Sequence, residues 1–195
     1  MRILLVLAHP NTDSFTHAIG TRAGDALRAK GHQVDLLDLY ALGFRAAMSA
    51  DERAAYESGS PIIDPMVAEH AELVKATDAI VFVYPTWWSG MPAILKGWIE
   101  RVLVPGVAFH FNHAGKVRPG LGHIRKVVGI STYGSRRLYV KLINDNGRRT
   151  AYRTLRLNTS LRTRRTWLAF YAVDTSSAKQ RAAFLDRVEQ KMSAL

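Results

Sequence analysis

Cysteine is absent from the 195 residues, which excludes disulfides, thiolate catalysis and cysteine-based zinc sites. That absence suits a reducing compartment, so a cytoplasmic protein is expected. Also missing is any apolar run approaching the roughly 18 to 20 residues that cross a bilayer, so no transmembrane segment is expected. The opening MRILLVLAHP resembles a secretory signal only superficially. Its apolar run is short, stops at His9-Pro10 and lacks a small-residue cleavage pattern, so it reads as a buried strand. Neither the three-glycine dinucleotide fingerprint nor the Walker glycine-lysine loop occurs where the first strand ends. Acidic residues are few: 27 Lys and Arg face 16 Asp and Glu, a formal net charge of +11, with the excess concentrated between residues 116 and 165. Such a field favours anionic ligands, which could be nucleotides, nucleic acid or an acidic membrane surface, and charge alone does not choose among them.

What is present fits an ordinary folded chain. An apolar content of 48% with 22% charged residues lets a chain of this length bury a core without a metal or disulfide, so one domain over residues 1–195 is expected. Residues 3–8 form a continuous apolar run with β-branched members, short enough for a strand covered on both faces. Phe15, Ile19, Ala23, Ala26 and Leu27 then recur at helical spacing, with Arg28 and Lys30 in the last turn and Gly31 as the stop. Val34, Leu36 and Leu37 make a second short strand, and residues 45–60 are a polar excursion with weak helical character near 51–56. Asp64-Pro65 starts a helix, a carboxylate cap followed by proline in the first turn, with Val67, Ala71 and Val74 as its buried stripe.

The clearest buried strand is AIVFVY, residues 79–84. After it, Ile94, Leu95, Trp98, Ile99, Val102 and Leu103 form one apolar stripe with Lys96, Glu100 and Arg101 opposite. A short hairpin at 107–111, a strand at 126–131, a helix at 150–161 and a last strand at 167–173 follow. A C-terminal helix, capped by Ser176 or Ser177 and lined by Leu185, Val188, Met192 and Leu195, completes the order. Five apolar strands alternating with helices predict an α/β fold: a doubly wound, five-stranded parallel sheet with helices on both faces. In such sheets ligands sit beyond the carboxyl ends of the strands, near the switch in strand order.

Three strand ends carry residues suited to a ligand. After the first strand comes HPNTDSFTHAI, residues 9–19, where the amides of Ser14, Phe15 and Thr16 and the Ser14 hydroxyl could hold a phosphate and His9 could add a donor or a charge. Capping of the helix by Asp13 or Ser14 explains the same residues as well. After the third strand, Trp87 and Trp88 could pack on a flat ring while the amides of turn 85–89 bond a heterocycle edge. For either tryptophan alone, covering core or a subunit interface is the simpler reading, and it is the turn's position at a strand end that favours a ligand. After the fourth strand, the Ser-Thr-Tyr-Gly turn at 131–134 offers small side chains and amides, and Arg136 and Arg137 offer charge for phosphates. As an alternative, Gly134 is a plain turn residue and the arginines a solvated face. Three such turns at three strand ends favour a ligand. His110 and His113 have no carboxylate pattern beside them, so no metal site is expected. The basic run at 148–165, with Tyr152 and Trp167, lacks a nucleic-acid motif, reads as a basic helix face and implies no nucleic-acid partner.

In HPNTDSF, PTWWSGMPAILKGWIERVLVPGVAF and the Ser-Thr-Tyr-Gly turn, in that order and across most of its length, the chain resembles the flavodoxin-like NAD(P)H:quinone oxidoreductases, the group of DT-diaphorase and related bacterial NAD(P)H dehydrogenases. The resemblance implies a flavodoxin-like fold and a bound flavin, FMN or FAD. Its phosphate would lie near His9, Ser14 and Phe15, with Thr16 beside them, and its isoalloxazine against Pro85, Thr86, Trp87, Trp88 and Ser89. Ser131, Thr132, Tyr133 and Gly134 would lie on the other side of the ring. It implies a ping-pong reaction in which NAD(P)H gives hydride to flavin N5, leaves, and is replaced by a quinone that takes the hydride. Amides near 132–134 would stabilise the negative charge that develops at the flavin N1-O2 edge.

In the family a Tyr and a His beyond the glycine turn assist this stabilisation. Here Tyr139 stands at the Tyr position, Asp145 at the His position, and Ser-Thr-Tyr-Gly where many relatives have Thr-Thr-Gly-Gly. Tyr139, Tyr133 and Gly134 are therefore the candidate catalytic residues. A homodimer is implied, with aromatics around Phe109 and Phe111 serving the partner's pocket. Two other classes are weighed against this one. A one-electron carrier like flavodoxin tends to be acidic, and a regulatory flavin-binding subunit or nucleic-acid module would keep the fold for partner binding.

Overall fold

In a computed structural model that describes residues 1–195, the apolar runs at 3–8, 34–37, 79–84 and 126–131 and the last strand share one parallel sheet. Strand β1 (Arg2–Leu7) leads into helix α1 (Phe15–Ala29), followed by β2 (Gln33–Asp38), α2 (Ala50–Ala55) and α3 (Pro65–Ala76). Strand β3 (Ala79–Pro85) and helix α4 (Ala93–Val102) come next. An antiparallel pair, β4 (Phe109–Phe111) with β5 (Val117–Pro119), precedes β6 (Lys126–Thr132). Helices α5 (Arg137–Leu142), α6 (Asn146–Arg149) and α7 (Leu155–Asn158), the last two joined by a π-helical turn (Thr150–Thr154), lead to β7 (Arg164–Phe170) and α8 (Ala178–Ser193).

The sheet order is β2-β1-β3-β6-β7, with every neighbouring pair parallel. Winding reverses between β1 and β3, and that is where an open sheet of this kind places a ligand. Successive side chains leave the sheet on opposite faces. Leu4, Val6, Ile80, Phe82 and Tyr84 enter one core with Trp98 and Val102 of α4, and Ile3, Leu5, Val81, Val83 and Ile130 enter the other with Leu27 of α1 and Val188 of α8. Burial on both faces is why these strands read as continuous apolar runs instead of alternating ones.

The caps resolve as local chemistry dictates. Ser14, not Asp13, caps α1 by accepting from His17 N at 3.2 Å, and Ser177, not Ser176, caps α8 in a capping box with Gln180. Asp64 caps α3 ahead of Pro65. In the polar stretch 45–60, Ser49 and Glu52 form a capping box that starts α2.

Four expectations are corrected. The last strand begins at Arg164 and ends at Phe170 because β7 is an edge strand, where basic residues can point to water and no apolar run marks the start. The hairpin expected within 107–111 instead pairs β4 with β5, which lies six residues beyond it. The helix expected at 150–161 is broken into α6, the π turn and α7. Its buried stripe is only Gly147, Ala151 and Leu155, while arginines three and four apart repel one another. Arg101, assigned to the solvent face of α4, is 3% exposed. It donates from Nε to Glu52 Oε1 at 2.7 Å and from Nη2 to Asp64 Oδ2 at 2.6 Å, so the burial follows from α2 and the α3 cap arriving beside it. No helix is long and apolar enough to cross a membrane.

Candidate functional site

Strands β1, β3 and β6 end side by side, since Leu7 pairs with Val83 while Tyr84 and Pro85 pair with Ser131 and Thr132. The turn after β3 is closed by Trp87 N donating to Gly90 O at 3.1 Å and Gly90 N to Trp87 O at 3.0 Å. Its central residues, Trp88 at φ 46° and Ser89 at φ 60°, are both left-handed. That is the geometry of a type I′ turn, for which Asn-Gly is the favoured pair. Holding a non-glycine residue there costs on the order of 1–3 kcal/mol, and such strain collects at ligand sites. Its consequence is that the Trp88 ring stands fully exposed. Trp87 is more sheltered and packs on His9, with ring centroids 5.9 Å apart.

The turn after β6 is tied to this one. Thr86 N donates to Thr132 O at 2.7 Å, and the Thr86 and Ser131 hydroxyls lie 2.8 Å apart. Tyr133 N donates to Phe170 O, which turns the Tyr133 ring inward to stack on Tyr171 at 4.9 Å between centroids. The Tyr133 hydroxyl donates to Asp145 Oδ1 at 3.0 Å. Burial first, and the Asp145 negative charge second, push this hydroxyl above its ordinary pKa, so it stays protonated and acts as the donor.

Between these turns lies a cleft of about 260 Å³. The β3 turn contributes Thr86, Trp88 and Ser89; the β6 turn contributes Tyr133, Gly134 and Ser135; α5 and the segment after it contribute Tyr139, Val140, Ile143 and Asp145. The backbone N–H groups of Trp88, Ser89, Gly134 and Ser135 bond to no other backbone group. Below the cleft, the buried Tyr84 hydroxyl has no partner, and a Cβ on Gly147 would come within 3.2 Å of it. An aromatic wall and unpaired amides on two sides suit a planar heterocycle with acceptors at its edge.

The residues named from sequence divide by position. Thr86, Trp88, Ser89, Tyr133, Gly134 and Tyr139 line the cleft together. Pro85, Ser131 and Thr132 lie in the strands beneath it. Trp87, His9, Ser14, Phe15 and Thr16 form a separate group around the start of α1, linked to the cleft by the Thr16 and Thr132 hydroxyls at 3.5 Å. There Phe15 turns its ring onto Phe170, 5.1 Å away, so it can offer a ligand only its amide. Burial lowers the pKa of His9 despite a backbone hydrogen bond at Asn11, so at neutral pH it offers a hydrogen bond and no charge. Ser135, Val140 and Ile143 were not singled out. The signal was present for two of them, since Ile143 lies four residues after Tyr139 and three after Val140, the spacings at which helical side chains neighbour one another.

The sequence profile of a family described as having a flavodoxin-like fold matches residues 1–195. The NAD(P)H dehydrogenase (quinone) 1 of Rattus norvegicus is 33% identical over 155 residues, covering 71% of this chain and 56% of that protein. An uncharacterized NAD(P)H oxidoreductase of Haemophilus influenzae is 35% identical over 136 residues, covering 69% of this chain and 65% of that one. The chain therefore spans less than two thirds of the length of these two relatives. Among solved structures, an NAD(P)H:quinone oxidoreductase of Methanothermobacter marburgensis superposes with a TM-score of 0.82 at 25% identity, covering 99% of this chain and 96% of that one.

Proposed function

This chain belongs to the family with the flavodoxin-like fold, and on that premise we propose that it is a flavin-dependent NAD(P)H:quinone oxidoreductase. The observation that carries the reading is the cleft beyond the carboxyl ends of β3 and β6, beside the switch between β1 and β3, where the exposed Trp88 ring and unpaired amides from two turns share one cleft. When bound, the flavin, FMN or FAD, supplies the hydride chemistry, taking two electrons from NAD(P)H and passing them to a quinone in ping-pong order.

The chain's own residues do the rest. Trp88 gives the ring an aromatic wall, and the left-handed turn projects that side chain out of the strand end. The Gly134 and Ser135 amides stabilise negative charge at the ring edge, as an oxyanion hole does. Tyr133 keeps its proton, and Asp145 fixes the direction of that hydroxyl. Tyr139, half exposed at the cleft, is left to meet the second substrate. The Phe15 and Thr16 amides at the start of α1, with His9 nearby, form the phosphate end of the site. Leu138 and Leu142 on α5 are 70% and 76% exposed beside this cleft, which supports a homodimer whose second copy covers them. Heat release of the bound cofactor and identification by mass tests the reading: FMN or FAD is expected, and a purified protein that takes up neither contradicts it.

A further inference from the structure

Beside the cleft runs a second, larger groove of about 520 Å³, and Val140 and Asp145 line both. Its other walls are mostly cationic. Arg137 and Lys141 come from α5, Arg148 and Arg149 from α6, Arg153 from the π turn and Arg156 from α7, with Arg165 of β7 among them. None of these seven forms a salt bridge. The only carboxylate lining the groove is Asp145, and it is already engaged by the Tyr133 hydroxyl. Tyr152 also lines it, half-buried, with the Arg148 guanidinium 5.5 Å over its ring.

The local backbone favours this convergence. A helix over 146–158 already gathers Arg149, Arg153 and Arg156 on one face, being three and four residues apart, and the π turn at Thr150–Thr154 shifts the register at Tyr152 and Arg153. Single π turns inside helical segments are frequent at functional sites. Seven like charges with a single carboxylate, Asp145, among them leave a strong positive local potential that draws an anion. Guanidinium forks match phosphate oxygens in pairs, so phosphate is the chemistry they fit best.

Continuity with the cleft narrows the choice of phosphate. A ligand that places a nicotinamide against the flavin and extends into the groove carries its adenosine phosphates there. Arginine near the adenosine ribose is also the general device for accommodating a 2′-phosphate. We propose that this groove is the subsite for the 2′-phosphoadenosine end of NADPH, so that the protein selects NADPH over NADH. The proposal rests on reading the neighbouring cleft as the nicotinamide and flavin site.

Two adenosine probes separate the two claims. Calorimetric titration of the protein as purified with adenosine 2′,5′-bisphosphate and with 5′-AMP is expected to show about tenfold or tighter binding of the bisphosphate, with the gap narrowing as salt rises. Arg153→Glu together with Arg156→Glu should remove that gap and lower the ratio of kcat/KM for NADPH over NADH by about tenfold or more. The pair Arg153→Gln and Arg156→Gln, milder for folding, should shift both readouts in the same direction by less. Equal binding of the two probes by the unaltered protein, or a preference that survives the charge reversal, overturns the proposal. So does single-stranded oligonucleotide bound more tightly than the bisphosphate, with the steep salt dependence of nucleic-acid binding. If the probes bind equally while NADH still reduces a bound flavin, only the groove assignment falls. If the bisphosphate preference is present in a protein that takes up no flavin, the groove stands and the redox reading falls.

Discussion

Arg101 and the arginines of the α5–α7 groove are the same side chain in opposite settings. Arg101 is buried and answered from every side: by the carboxylates of Glu52 and Asp64, by the Arg45 carbonyl, and by the Phe44 ring 5.1 Å from its guanidinium carbon. The groove arginines have no carboxylate partner. Arg101 therefore spends its charge inside the fold, tying α2 and the cap of α3 to α4, while the groove leaves its charge for something that arrives. The +11 of the whole chain hides this difference, because net charge counts both kinds alike.

The contrast breaks most readily at Arg101. Arg101→Ala leaves Glu52 and Asp64 with only the exposed Arg45 guanidinium, 3.6 and 3.9 Å away, and a loss of about 3 kcal/mol in urea unfolding is expected. A loss under about 1 kcal/mol would mean that the buried cluster contributes no more than a surface pair. Trp88 is the aromatic counterpart of the groove, exposed and waiting. Trp88→Ala should weaken flavin binding by roughly 1–3 kcal/mol, and unchanged affinity with unchanged turnover would remove Trp88 from the site.

Acid sharpens the comparison from the buried side. Burial raises the carboxyl pKa of Glu52 and of Asp64, but hydrogen bonds from Ser49 and Arg101 for the first, and from Arg101 and the α3 amides for the second, leave both below their ordinary values. Their contribution is thus complete above the unfolded values near pH 4 and is lost as pH falls through the folded ones. His70 acts earlier. Burial lowers its pKa in the fold, and its Nδ1 accepts from Trp98 Nε1 at 3.2 Å, which requires that nitrogen unprotonated. The unfolded chain takes up this proton first, so stability should begin to fall below about pH 6.5. His70→Gln, which can still accept from Trp98, should flatten that first decline; an unchanged slope would rule His70 out as its source. The smallest effect belongs to the groove: Arg153→Gln with Arg156→Gln should move stability by no more than about 0.5 kcal/mol, and a larger loss would show that these arginines also hold the fold.

The same two regions mark how much could be read from sequence. Strands β1, β3 and β6 and helix α3 were legible because burial on both faces leaves continuous apolar runs and because Asp64-Pro65 is a strong local cap. Arg101 was misplaced because periodicity sees one helix at a time, and the carboxylates that make its burial favourable come from the α3 cap and from α2, 37 and 49 residues away. The residues after β6 were harder still. Their helices are short and their turn passes through two left-handed residues, Asn144 at φ 77° and Asp145 at φ 41°, which no apolar pattern announces. The three strand-end turns of the candidate site were legible from position and residue type. The bond from Tyr133 to Asp145 was not, since it depends on that unannounced turn.

The central claim is tested most directly by titrating the flavin-loaded protein with NADPH in the absence of oxygen and then adding menadione. The oxidised-flavin absorbance is predicted to disappear with the first addition and to return with the second. A bound flavin whose absorbance neither NADPH nor NADH changes would contradict the account.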